Sequence, residues 1–410
     1  MDHARNVQYT ELPLQRVATG HVVPVNIWDA KGNLLVRKGQ VIASEPHKEL
    51  LAGHGACVLD VDYKAWTRSY DRLVNRLSRE GASLEVLARL PMPSTIQDGD
   101  YAVGFDIVGG WLDVHEVHKA LLSQASAARS PLEKMESTQK RAMALLDADA
   151  DHALFVLMQA LPDLSVSYTA KHALLAAVLC ELTARKLQVP ELLRPVLFQA
   201  ALMMNVALAR TQDELVRQTA EPTPVQREDI AQHPARSVEI LRGYGVDDAD
   251  LLDMVAGHHE IDLPTANPRN RECRLIMQVV DQFIAKMSTR ATRSAVSAPS
   301  AAKSMVDMQA PDAARVAAAL SAAVGFYPPG TYVSLANGET AVSVRRGNLA
   351  HAPMVVSLLR ADGLSVMQYI ARDTADKAFA VRAAVPAERL KITVNPKNLD
   401  AALGRLQPSA

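Results

Sequence analysis

Hydrophobic spacing along the chain changes period twice. His21–Val41 reads HVVPVNIWDAKGNLLVRKGQV, two β-rich runs flanking Asp29-Ala30-Lys31-Gly32. That pattern predicts a hairpin. Ser44–Leu51 predicts a short helix and Ala56–Val61 another strand, so a small β domain is expected over residues 10–65. Residues 66–110 read as a connecting segment. It is charged and helix-patterned from Trp66 to about Leu90, then rich in breakers at Pro91–Asp100 (PMPSTIQDGD), where a boundary is expected.

From Val114 the apolar spacing becomes helical. Helices are predicted over Ser130–Asp147, Asp151–Leu161 (stopped by Pro162), Ser167–Leu187, Leu193–Leu208, Pro224–Tyr244, Asp248–Glu260, Glu272–Met287 and Asp312–Val324. Arg290–Ser304 is rich in Ala, Ser and Pro and reads as a loop. The period then returns to two. TYVSLA and ETAVSV flank Asn337-Gly338, a strong hairpin signal. MVVSLLR and LSVMQYI flank Ala361-Asp362-Gly363, and Leu390–Val394 (LKITV) predicts one more strand. The fold class is mainly α: a helical domain over 111–325, the N-terminal β domain, and a C-terminal β-hairpin appendage over 326–400.

Composition narrows the function classes. A chain of 410 residues suits two or three domains. Lys and Arg number 44 against 45 Asp and Glu, so no basic excess points to nucleic acid. Cys57, Cys180 and Cys273 are far apart without CxxC spacing, which suits a reducing compartment. The opening MDHARNVQYTELPLQRV has no apolar stretch, and no run of about eighteen apolar residues occurs. A soluble cytoplasmic protein without a membrane span is therefore expected. No GxGxxG after a strand, no P-loop and no GxSxG elbow is present.

Five potential metal ligands fall in the helical region: His172, His233, His258, His259 and Asp281. Imidazole and carboxylate suit a divalent transition metal. Taken singly, each has a plainer reading. His172 shares a helix face with Leu175 and Leu179, as a hydrogen-bonded core histidine would. His233, beside Pro234, reads as a solvated residue at a helix start. His258 and His259 are adjacent and cannot share one face of a helix, so both can bind only at a helix end or across two sites. Asp281 follows RLIMQVV, where a carboxylate needs a partner; a local Lys or Arg would serve.

Taken together, His172, ALMMNVAL (201–208), His233-Pro234, His258-His259-Glu260 and VVDQFIAKMSTR (279–290) resemble, in order and approximate separation, the HD-GYP family of the HD phosphohydrolase superfamily. YPPGTYVSLANGETAVSV (327–344) resembles that family's distinctive tail, and the N-terminal hairpin resembles the small β domain that often precedes such domains. The resemblance spans about Ser167–Val344. It implies an HD-type helical bundle. It also implies a site of two or three iron or manganese ions, where a bridging hydroxide attacks a phosphodiester of cyclic di-GMP. His172 and Asp281 would belong to one half-site, and His233, His258 and His259 to the other.

The chain departs from that family at the signature itself. The His-Asp pair followed by Ile-Gly-Lys falls on Met204, Asn205, Ala207 and Leu208. Two dications about 4 Å apart repel by roughly ten kcal/mol or more even at an effective dielectric near 20, and a bridging carboxylate offsets this where an amide does not. Met204 offers only a soft thioether. The GYP loop is HHEIDLPTANPRN, which keeps His258, His259, Glu260 and Asp262 but lacks the glycines and tyrosine. The family's second aspartate after Asp281 is Ile284. Catalytic residues are therefore expected to be lost. The expected function is a degenerate, non-catalytic regulator in bacterial cyclic-di-GMP signalling; the alternative is an active metal-dependent phosphodiesterase with an altered site. A plain structural adaptor is a third reading. The surviving ligands leave room for a single divalent ion (Fe, Mn or Zn) or for none. The expected partner is a signalling protein or a second copy of the chain, with cyclic-di-GMP binding weak or lost.

Overall fold

The computed structural model describes residues 9–29, 33–80, 82–83, 86–87, 90–96, 110–163, 167–308 and 311–387, with the single positions 390, 394, 398, 399 and 402. The chain divides into two compact units, Met1–Phe105 and Asp106–Ala410.

In the first unit, strands β1 (Tyr9–Glu11), β2 (Ile27–Trp28), β3 (Leu34–Val36) and β4 (Cys57–Leu59) form one sheet in the order β1-β4-β2-β3. β2 and β3 pair antiparallel, as a hairpin requires; residues 30–32 of the expected turn lie outside the described residues. Helix α1 (Glu45–Gly53) starts at the Ser44 cap, and α2 spans Asp60–Arg79. Val23, Val25, Ile27, Ile42, Val58 and Trp66 form the core. Trp66 Nε1 donates to the Pro93 carbonyl (2.7 Å), and Met92 N–H to the Arg16 carbonyl (2.7 Å). The start of the segment read as a connector is thus packed into this unit. The expected boundary at Pro91–Asp100 runs into residues 97–109, outside those described.

The second unit begins with α3 (Trp111–Gln124), α4 (Pro131–Ala148) and α5 (Ala150–Ala160). Its central rod is α6 (Tyr168–Lys186), buried continuously from Tyr168 to Ala184. Leu, Ala and Val on every face of α6 explain this, since a helix apolar all round must be enclosed by others. Around it lie α7 (Arg194–Met203), α8 (Ala209–Leu215), α9 (Pro224–Gly243), α10 (Ala249–Ala256), α11 (Arg271–Met287), α12 (Ala298–Met308) and α13 (Pro311–Val324).

Three expectations are corrected here. The helix expected over Leu193–Leu208 stops at Met203, because Ser237 of α9 hydrogen-bonds the Met204 carbonyl (3.0 Å) and the Ala207 N–H (3.2 Å) and holds a turn there. The helix expected to reach Glu260 ends at Ala256, before Gly257. Ala298–Met308, within a stretch read partly as loop, is helical and buries Ala298, Ala301 and Met305.

The C-terminal strands β5 (Tyr332–Leu335), β6 (Thr340–Arg345), β7 (Met354–Leu359), β8 (Ser365–Asp373) and β9 (Val381–Ala384) form one antiparallel sheet, ordered β8-β7-β6-β5-β9. The two expected hairpins are β5–β6 and β7–β8. β9, not anticipated, pairs with β5; residues 391–393 of the expected strand Leu390–Val394 lie outside the described residues. The sheet docks on α5 through the PPGT turn. Gly330 has φ +94°, and a Cβ there would sit 2.8 Å from Met158 Cβ. Gln159 accepts from the Tyr332 hydroxyl (3.0 Å), and Arg346 pairs with Asp151.

Candidate functional site

Four elements of the second unit carry the candidate ligands. α6 supplies His172 from its buried length. α9 begins with Pro224 at its first turn and a capping box in which Thr223 and Gln226 satisfy each other's backbone N–H; it carries His233 mid-helix, not at a helix start. α10 is capped by Asp248, whose side chain accepts from the Asp250 and Leu251 N–H groups. Because α10 ends at Ala256, His258 and His259 lie in the turn beyond it, free of the helical geometry that would send them to opposite sides. α11 supplies Asp281.

Two groups result. The ligand atoms of His233, His258 and His259 lie within 4.8 Å of one another. Their rings pack closely, edge-on for His233–His258 with centroids 5.0 Å apart and tilted for His258–His259 at 4.1 Å. Beside them His172 Nε2 lies 2.8 Å from Asp281 Oδ1. The Tyr168 hydroxyl sits 3.2 Å from His172 Nδ1 and 3.1 Å from Ser288 Oγ, and Ser288 donates to the Ile284 carbonyl (2.7 Å). Burial alone would raise the Asp281 carboxyl. The hydrogen bond from His172, and the electrostatic pull of His172, His258 and His259, outweigh it and hold the group at about 2. Asp281 therefore belongs electrostatically to both groups.

The trio passes a test of fit for a cation. Burial lowers His233 to about 4, and burial together with His259 and His233 lowers His258 to about 3. Both rings are neutral at pH 7, so each carries one N–H. His233 Nδ1 lies 2.7 Å from the Ile230 carbonyl and His258 Nδ1 2.7 Å from the Val255 carbonyl. A carbonyl only accepts, so both protons sit on Nδ1. The two Nε2 atoms, 3.1 Å apart, then confront each other as bare lone pairs. A cation or an extra proton would relieve that arrangement. An imidazole whose other nitrogen donates to a backbone carbonyl is also the usual form of a metal-bound histidine. His233, His258 and His259 would hold one divalent ion such as zinc or iron. His259 is solvent-exposed while its two companions are buried, so the centre faces water on one side.

The signature positions lie in the turn after α7. Met204 and Asn205 are buried, at 1% and 3% exposure. Asn205 Nδ2 is buried without a hydrogen-bond partner among the described residues. Leu208 is buried and apolar. Sequence reasoning overlooked Tyr168, Ser288, Arg274 and Gln278. Tyr168 precedes His172 by four residues, the spacing that puts two side chains on one helix face, and so was legible. Arg274 and Gln278 carry no such mark.

No family model matches the chain, and no curated protein matches it. Among solved structures, one described as an HDG"Y"P protein from Bdellovibrio bacteriovorus is similar to 76% of this chain and 98% of its own, at 13% identity and a TM-score of 0.42. Among the described residues no helix is long and apolar enough to cross a membrane.

Proposed function

We propose that this chain is a degenerate HD-GYP-like protein, a non-catalytic regulator in bacterial cyclic-di-GMP signalling, that holds one divalent metal ion on His233, His258 and His259. Residues 111–325 would be its HD-type domain, 326–400 the appendage, and 10–65 a separate β module for docking a partner. The observation that carries the loss of catalysis is Asn205. It is a buried neutral amide at the position where the family resemblance implies a metal-bridging aspartate. His172 and Asp281 are meanwhile committed to each other at 2.8 Å. A bound ion would supply Lewis acidity and an acidified water. The chain's own residues offer little to a phosphodiester beside it, since Ala207 and Leu208 bring no positive charge.

Elemental analysis of anaerobically purified, metal-reloaded protein, with a parallel cyclic-di-GMP hydrolysis assay, tests this. One metal per chain and no turnover is the expected result; two metals with turnover overturns it. The exposed position of His259 favours a second reading, an altered single-ion hydrolase. That reading requires turnover at one metal per chain, abolished in His258→Ala.

A further inference from the structure

An α-helical carbonyl at position i is normally taken by the N–H at i+4. For Ile230 that position is Pro234, inside α9 and directly after the candidate ligand His233. Proline has no N–H, and its ring crowds the carbonyl four residues back. The Ile230 carbonyl thus lacks its helical partner, and His233 Nδ1 takes its place at 2.7 Å. His258 reaches the same state by another route. The last carbonyls of a helix have no partner within it. α10 ends at Ala256, the Gly257 N–H goes back to the Asp253 carbonyl (3.0 Å), and His258 Nδ1 takes the Val255 carbonyl. A proline in one place and a helix end in the other create the same acceptor, three residues before a histidine.

We propose that Pro234 is a positioning residue: its missing N–H leaves the Ile230 carbonyl to His233 Nδ1, fixing the tautomer whose Nε2 lone pair is turned to the Nε2 of His258 and to a cation between them. With an N–H at position 234, that carbonyl would be bonded along the helix. His233 would then be free to place its proton on Nε2, the form that cannot bind metal there. The proposal rests on the one-ion reading above, but the tautomer is observable without any metal.

The test uses full-length protein labelled with ¹⁵N-histidine, stripped of metal, at neutral pH. Long-range ¹H–¹⁵N correlation reports which ring nitrogen of His233 is protonated, with the signal assigned by its loss in His233→Gln. Wild-type protein is expected to show the Nδ1–H form and Pro234→Ala a mixture. Zinc affinity is expected to fall about 10- to 100-fold in Pro234→Ala, the range for loss of a group that orients a ligand. The denaturant midpoint should stay equal or rise, because the helix interior gains a hydrogen bond. A merely structural proline would instead lower affinity and midpoint together, and that outcome overturns the proposal. So does an unchanged tautomer and affinity. A wild-type Nε2–H form overturns it even if the variant fails to fold. Wild-type protein that binds no zinc, yet shows the tautomer change, would remove the one-ion reading while supporting this one.

Discussion

Asn205 differs from a metal-bridging aspartate by one charge, and its buried Nδ2 has no partner among the described residues. Burial of an unpaired charge is costly, so Asn205→Asp should destabilise the metal-free protein and recover on metal loading. Met204→His with Asn205→Asp adds an imidazole and an anion to one turn. The double variant should raise metal content from one to two per chain by elemental analysis. A content that stays at one would mean that the turn after α7 does not face the histidines. A second residue-scale effect lies at His118, wholly buried on α3 with Nε2 3.1 Å from the Leu202 carbonyl. Burial, then the neighbouring His115, lowers it to about 3. The unfolded chain, titrating near 6.5, binds the extra proton first as pH falls. The stability this group contributes is therefore complete above about pH 6.5 and declines towards pH 3. Between pH 7 and 5 the loss is at most roughly 2 kcal/mol. Urea midpoints at the two pH values should differ less in His118→Leu than in wild type; equal differences would sink the assignment.

At the scale of elements, α11 organises the site more than its single ligand suggests. Arg274, Gln278 and Asp281 follow at i, i+4 and i+7, one helix face. Arg274 is 2% exposed, pairs with Asp253, and donates to the Ile261 and Asn267 carbonyls (both 3.0 Å). Gln278 Nε2 donates to the His259 carbonyl (2.8 Å). The turn holding His258 and His259 is thereby fastened on both sides. Gly257 leaves room for this: a Cβ there would sit 2.2 Å from Arg274 Cδ. Gly257→Ala should cost about 1–3 kcal/mol, as overpacking does, and speed proteolysis within 259–269. An unchanged urea midpoint would show that Arg274 moves aside freely.

The same elements show what the sequence could and could not disclose. The α6, α9 and α11 segments were legible because apolar periodicity and capping residues agree. Ala298–Met308 was partly hidden, since Ala, Ser and Pro compose linkers as readily as helices packed by small residues. β9 is too short to show alternation. The break after Met203 depends on Ser237, more than thirty residues away, and carries no local Gly or Pro. The five candidate ligands are legible by residue type, and the resemblance in order and separation is what sets them together. The meeting of His233 with His258, and the pairing of His172 with Asp281, depend on approach between helices that no local pattern encodes.

For the whole molecule, the division into two units gives the metal reading a thermodynamic signature. His172, His233, His258, His259 and Asp281 all lie in Asp106–Ala410, whereas the first unit has its own core around Ile27, Val58 and Trp66. Units with separate cores need not melt together, so two calorimetric transitions are expected rather than one. An ion that binds only the folded second unit stabilises that unit alone, by about 2.7 kcal/mol at a free concentration 100 times its Kd. For a unit of this size the upward shift is a few degrees, at about 1.5–2 °C per kcal/mol. Zinc should therefore raise one transition and leave the other in place, and His258→Ala should abolish the shift. A shift of both transitions together would mean that the units unfold cooperatively. If neither moved, no ion would be held by the folded bundle, and the facing Nε2 atoms of His233 and His258 would have to share a proton instead.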